Sequence, residues 1–83
     1  MRIRLKLYAT LGDYLPTGTA GNAIEIDVPD DATPYAIIDR FRVPRKLSHL
    51  VLVNGVYAHP DERDTAILKD GDTLAIWPPV AGG

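Results

Sequence analysis

Aliphatic and charged residues alternate strictly in the first stretch of the chain. Residues 2–7 place isoleucine or leucine at every second position and arginine or lysine between them. A period of two puts the aliphatic side chains on one face and the cations on the other, which predicts a half-buried strand. Residues 24–28 alternate in the same way and end at Pro29, since proline cannot donate to a strand ladder. We expect these two strands to pair as a hairpin.

The pattern changes to helical spacing after the second strand. Thr33 followed by Pro34 is typical of a helix start, with a hydroxyl cap and a proline at the first helical position. Apolar residues then recur every three or four positions, which predicts one amphipathic helix over residues 34–42 that ends before Pro44. Glycines and a proline in residues 9–22 predict a short helical turn followed by a loop.

The second half of the chain predicts a hairpin and one further strand. Residues 50–53 are continuously aliphatic, and Asn54-Gly55 favours a type I′ turn, because both turn positions need positive φ. Residues 56–57 should return as a short strand. Ile67 and Leu68 look like buried anchors, and residues 73–77 alternate again before Pro78-Pro79 ends the run.

This order of elements predicts an α+β fold. With one main helix, the sheet can be covered on one face only, and the helix lies between two hairpins. The first and last strands can then pair centrally and in parallel. We therefore expect a β-grasp, ubiquitin-like roll with a mixed sheet of four to five strands, formed by residues 1–79 and followed by a flexible tail, residues 80–83.

Composition excludes several classes of function. Nine basic against eleven acidic residues among 83 give a net charge of −2, which is too balanced for a surface that neutralises nucleic-acid phosphates. The chain has no cysteine, and His49 and His59 are predicted to be surface residues, so we expect no metal site. No paired carboxylates, Ser-His pair or phosphate loop stands out, which argues against an enzyme. The charged N-terminus predicts no membrane segment and a cytoplasmic location.

The last residues carry the candidate chemistry. Gly82-Gly83 follows Pro79, Val80 and Ala81 and places a carboxylate on a thin backbone that can thread a narrow active site. A carboxylate is a poor acyl donor, so a partner must first convert it with ATP to an acyl adenylate. Attack by a sulfur donor then gives a thiocarboxylate, whereas attack by a lysine amine gives an isopeptide. Both outcomes require Gly83 to be the terminal residue.

Two segments resemble a known family. Residues 68–83, which read LKDGDTLAIWPPVAGG, and residues 52–55, LVNG, look like the small subunit of molybdopterin synthase within the MoaD/ThiS sulfur-carrier family. The segment YATLGDYL, residues 8–15, resembles the molybdopterin branch as well. The absence of cysteine fits independently, because no side chain could hold sulfur as a persulfide.

The resemblance implies a carrier that binds no cofactor itself. Gly83 would be adenylated by a ubiquitin-activating-type adenylyltransferase that uses ATP. A sulfurtransferase or cysteine desulfurase would supply the sulfur, and the large subunit of molybdopterin synthase would receive the tail and transfer sulfide to the pterin precursor. Three alternatives stay open: a carrier for thiamin or another sulfur-containing metabolite, a protein modifier conjugated to lysines, and a plain interaction module.

The strand pattern also predicts a surface for these partners. Leu50 and Leu52 share a face with Ala75 and Trp77, opposite to the helix, and we expect this apolar face to bind partner proteins.

Two clusters of charged residues lie elsewhere in the sequence. The cations Arg40, Arg42, Arg45 and Lys46 form either a solvated face or a docking patch, and residues 61–64 an ordinary charged loop.

Overall fold

The computed structural model describes residues 1–80 of the chain. The strands and the helix are β1 (Arg2–Leu7), β2 (Ala23–Asp27), α1 (Pro34–Arg40), β3 (Leu50–Val53), β4 (Val56–Tyr57) and β5 (Thr73–Trp77). Short 3₁₀ turns occupy Ala9–Tyr14, Arg45–Leu47 and Pro60–Glu62. The predicted strands are thus confirmed, as is the helical turn after β1.

The five strands form one mixed sheet in the order β2-β1-β5-β3-β4. β1 and β5 run parallel in the centre, and the other three pairings are antiparallel. Asn54 and Gly55 both have positive φ, as the predicted tight turn between β3 and β4 requires. The α+β class, the central parallel pair and the single covered face are therefore as the sequence predicts.

One hydrophobic core lies between the sheet and α1. Its members alternate along the strands, so that each strand contributes every second residue. Burying each such side chain stabilises the fold by about 1.5–3 kcal/mol. The largest fully buried side chains are Ile3, Leu5, Leu7, Leu11, Pro34, Ile37, Ile38, Val51, Leu74 and Ile76.

The helix begins as predicted but ends two residues early. The Thr33 hydroxyl accepts a hydrogen bond from the amide of Ala36, 3.2 Å away, and Pro34 is the first helical residue. α1 ends at Arg40 rather than at residue 42, because Arg42 takes a left-handed conformation with φ 61°. The amide of Val43 then donates to the carbonyl of Ile38, which closes a Schellman motif. No helix within residues 1–80 has the length and hydropathy needed to cross a membrane.

The prediction that Ile67 is a buried anchor is wrong. The amide of Leu68 donates to the carbonyl of Ala32 at 2.8 Å, and this bond directs Leu68 into the core and leaves the Ile67 side chain 60% exposed. Ile67 lines a groove of about 250 Å³ with Val56 and Ala66. This groove lies on the helix side of the β3–β4 hairpin.

Candidate functional site

The structure brings the predicted partner-binding residues together on one surface. Leu50 lies opposite Trp77 and Leu52 opposite Ala75 in the β3–β5 register. Their side chains point away from the core, because the neighbouring positions Val51 and Ile76 are fully buried beneath the sheet. Leu50, Leu52 and Trp77 are half-buried, and Ala75, only 7% exposed, forms the floor between them.

Two tyrosines extend this surface. Tyr57 lies opposite Leu52 in the β3–β4 register, and its side chain is 41% exposed. The Tyr8 ring stacks on Trp77, with 4.0 Å between the ring centroids and 7° between the planes. We call the resulting apolar patch the open sheet face; it consists of Tyr8, Leu50, Leu52, Tyr57, Ala75 and Trp77.

A row of cations borders the open sheet face along β1. Lys6 lies beside Ala75 and Arg4 beside Thr73 in the parallel β1–β5 register. Arg2, at the far end of the row, forms an exposed ion pair with Asp27 at 3.5 Å. The patch therefore combines an apolar centre with a basic border, an arrangement that is also found in protein–protein interfaces.

The segment leading to Gly83 leaves the sheet at a fixed point. The carbonyl of Trp77 accepts a hydrogen bond from the amide of His49 at 3.0 Å. On the other side of β5, the amide of Tyr8 donates to the carbonyl of Ile76, also at 3.0 Å. We call Trp77 and Pro78 the tail root. These two bonds hold the end of β5 from both sides, so the tail root lies directly beside the open sheet face.

Beyond the tail root the chain makes fewer contacts. Pro78 and Pro79 carry no amide hydrogen and fix φ near −65°, so they extend the chain without joining the sheet. Pro79 is exposed, and Val80 is 77% exposed. The other predicted tail residues, Ala81 and Gly82, and the predicted reactive residue Gly83 lie outside the described residues.

The cation cluster after α1 has intramolecular partners. The guanidinium of Arg45 donates to both carboxylate oxygens of Asp39, at 2.8 and 3.1 Å, and approaches Asp64 at 3.5 Å. The hydrogen bond from Arg45 lowers the pKa of Asp39 below its ordinary value, and the same bond raises the pKa of Arg45. Arg40 donates to the carbonyl of Asp27 at 2.7 Å. These contacts give both arginines a structural role.

Sequence reasoning missed three residues around the site. Tyr8 has the same parity along the chain as the β1 cations, and the parallel β1–β5 register places it beside Trp77. Tyr57 falls on the same face as Leu52 through the short hairpin. Arg63 was assigned to an ordinary charged loop, and this is wrong, because Arg63 is only 3% exposed. Nothing in the local sequence distinguishes it from its charged neighbours.

Comparison with known proteins identifies the family. The sequence profile of the ThiS family matches residues 17–83, most of the chain. The chain belongs to the ThiS family. It is also 33% identical, over 63 residues, to a protein named molybdopterin synthase sulfur carrier subunit from Drosophila erecta; the match covers 71% of this chain and 70% of that protein. The protein is thus a small sulfur carrier of the MoaD/ThiS type.

Solved structures agree with this ThiS-family assignment. Small archaeal modifier protein 1 of Haloferax volcanii superposes with a TM-score of 0.67 at 27% identity, over 95% of this chain and 98% of that one. A chain from the complex of subunits 1 and 2 of the molybdopterin-converting factor of Helicobacter pylori superposes with a TM-score of 0.59, over the full length of both chains. At 16% identity, this second likeness shows the shared β-grasp fold alone.

Proposed function

We propose that this ThiS-family protein carries sulfur on Gly83 for molybdopterin biosynthesis, the precursor route to the molybdenum or tungsten cofactor. The Gly83 carboxylate attacks the α-phosphorus of ATP in a ubiquitin-activating-type adenylyltransferase, and pyrophosphate leaves. The terminal sulfur of a persulfide on a sulfurtransferase or cysteine desulfurase then adds to the carbonyl carbon, and AMP leaves. A second thiol cleaves the S–S bond of this acyl disulfide, which yields the thiocarboxylate and a disulfide.

The observation that supports this proposal is the continuity between the open sheet face and the tail root. Trp77 belongs to both, since its ring stacks on Tyr8 while its carbonyl is held by His49. A partner that binds the open sheet face thereby receives the tail in a defined direction. The six residues from Pro78 to Gly83 can span no more than about 22 Å when fully extended. The activating site must therefore lie within that distance of the docking surface.

The similarity to small archaeal modifier protein 1 favours a second candidate function. In a protein modifier the same adenylate reacts with a lysine amine instead of a sulfur donor, so the two functions share every step up to activation. A carrier that supplies thiamin or another sulfur-containing metabolite also shares the activated tail, and differs in the acceptor of the sulfide. In the molybdopterin route, the large synthase subunit is the partner that would receive the charged tail.

A pair of matched substitutions tests the docking surface. Leu52→Asp places a carboxylate in the centre of the open sheet face, whereas Val56→Asp makes the same change on the other side of the hairpin, where the side chain is 69% exposed. We expect Leu52→Asp to raise the KM for adenylation by a cognate activating enzyme at least tenfold, because a central apolar contact typically contributes about 1.4 kcal/mol or more. Val56→Asp should leave this KM within twofold of the starting value.

Both variants must first give the circular dichroism spectrum of the unchanged protein. Equal KM values for folded Leu52→Asp and Val56→Asp would contradict docking through the open sheet face. A chain extended by one alanine after Gly83 tests the tail separately. It should bind the activating enzyme and yield no adenylate, and adenylation of the extended chain would overturn the role of Gly83.

A further inference from the structure

Arg63 is a buried cation outside the open sheet face. It follows the 3₁₀ turn Pro60–Glu62, and its side chain is enclosed by the base of the β3–β4 hairpin. Its Nε donates to the carbonyl of Ala58 at 2.9 Å, and its Nη1 donates to the carbonyl of Ser48 at 3.0 Å. Longer contacts from Nη2 reach the carbonyl of His49 at 3.5 Å and the hydroxyl of Tyr57 at 3.4 Å.

This set of partners is unusual for a buried charge. Arginines in protein interiors are usually paired with carboxylates, because desolvating a lone cation is costly. Within residues 1–80, no carboxylate forms a salt bridge with Arg63. The guanidinium is instead satisfied by neutral oxygens, chiefly backbone carbonyls just before β3 and just after β4. The planar guanidinium suits these partners, because its N–H groups can donate to several fixed acceptors at once.

The backbone of Arg63 adds a further connection. Its carbonyl accepts a hydrogen bond of 2.8 Å from the amide of Tyr35, in the first turn of α1. The residue therefore joins the start of the helix to the two ends of the hairpin. One of these ends is the Ser48–His49 segment, and the amide of His49 donates to the carbonyl of Trp77. A line of contacts thus runs from α1 through Arg63 to the tail root.

We propose that Arg63 is a positioning residue for the tail, acting through the Ser48–His49 backbone that holds Trp77. The inference rests on the proposed function, because it concerns the delivery of Gly83 to an activating site. Without the guanidinium, the carbonyls of Ser48 and His49 lose their buried donor and the segment gains freedom, so the bond from His49 to Trp77 loosens. Among the residues of the open sheet face, only Tyr57 contacts Arg63, through the 3.4 Å approach to its hydroxyl, so we expect docking to be retained. Small errors in the placement of a reacting group reduce the rate of the chemical step.

Amide hydrogen exchange measures the first part of this proposal. In Arg63→Gln and Arg63→Lys, protection of the His49 amide should fall at least tenfold relative to the Tyr8 amide, which holds the other side of β5. Ser48→Ala is the matched buried control, because the Ser48 hydroxyl finds no hydrogen-bond partner among the described residues while its carbonyl is kept. This control should leave the ratio of the two protection factors unchanged.

Adenylation kinetics measure the second part. We expect Arg63→Lys to lower kcat about tenfold with KM within threefold, a split that a general loss of folded protein or of docking would not give. If Arg63→Gln fails to fold, Arg63→Lys alone decides the question. Unchanged His49 protection, or an unchanged kcat in a folded variant, would overturn the positioning role. Failure of the unsubstituted protein to become adenylated would instead contradict the proposed function.

Discussion

Arg42, the second residue after the end of α1, adopts a left-handed backbone conformation with φ 61°. For an L-residue with a Cβ, this conformation costs about 1 kcal/mol or more of folding free energy, whereas glycine adopts it without this cost. We therefore expect Arg42→Gly to raise the free energy of unfolding by about 0.5–1 kcal/mol, measured by urea denaturation. The gain is partial because glycine also increases the entropy of the unfolded chain.

Arg40→Gly provides the opposite control for this prediction. It places glycine inside the last helical turn and removes the hydrogen bond to the Asp27 carbonyl. The free energy of unfolding should fall by about 1 kcal/mol or more. A destabilising effect of Arg42→Gly, comparable with that of Arg40→Gly, would show that the Arg42 side chain makes a contribution larger than its backbone strain.

Single residues are also where the sequence is least informative. Pro44 restricts only the residue before it, so the sequence pattern does not show that α1 ends at Arg40, ahead of the left-handed Arg42. The doublet Ile67-Leu68 does not show which of the two side chains is buried, because a backbone bond from a distant segment decides this. Arg63 is buried because carbonyls from separate parts of the chain accept hydrogen bonds from its guanidinium. No local sequence pattern indicates this arrangement.

At the scale of elements, the ion pair between Asp39 and Arg45 links α1 to the following 3₁₀ turn. The hydrogen bond from Arg45 lowers the pKa of Asp39 in the folded state. A carboxyl group with a lowered folded pKa stabilises the fold above its unfolded pKa, near pH 4, and this contribution is lost as the pH falls through the folded pKa. Because both groups are about half exposed, the contribution should be small and weakened by salt.

Arg45→Met should move the titration of the Asp39 carboxyl, followed by ¹³C NMR, back toward the ordinary range of aspartate. The variant should also lose less stability than the unchanged protein between pH 4 and the acid limit of about pH 2. Lys46→Met, at the adjacent exposed cation, is the control and should leave the Asp39 titration where it is. An Asp39 titration that is the same in all three proteins would contradict a role for the Arg45 bond.

The elements themselves could largely be predicted, because their signals are local. Apolar and polar residues alternate in β1, β2 and β5 because each strand buries one face. Asn54 and Gly55 favour the tight turn because both residues readily adopt the positive φ that it requires. The shared face of Leu52 and Ala75 also follows from parity once the strand order is known. The stacking of Tyr8 on Trp77 could not be predicted from one strand, since it depends on the register of two distant segments.

At the scale of the whole molecule, the fold places an apolar surface next to the start of the C-terminal tail. The open sheet face is an apolar patch with a basic border, which we propose as the docking surface, and the tail root marks where the chain leaves the sheet. The proposed function places the chemistry on Gly83, a residue that contributes no side chain. In the function that we propose, the partners supply ATP, sulfur and the acceptor, and the small protein supplies recognition and delivery.

The most direct test of the central claim is the intact mass of the protein purified from cells that retain its native partner genes. Replacement of one carboxylate oxygen by sulfur adds about 16 Da. The account predicts this addition, located on Gly83 by fragmentation and absent when the activating enzyme is deleted. An unmodified mass in cells with active partners would contradict the sulfur carrier, and adducts to other proteins through Gly83 would assign the protein to the modifiers instead.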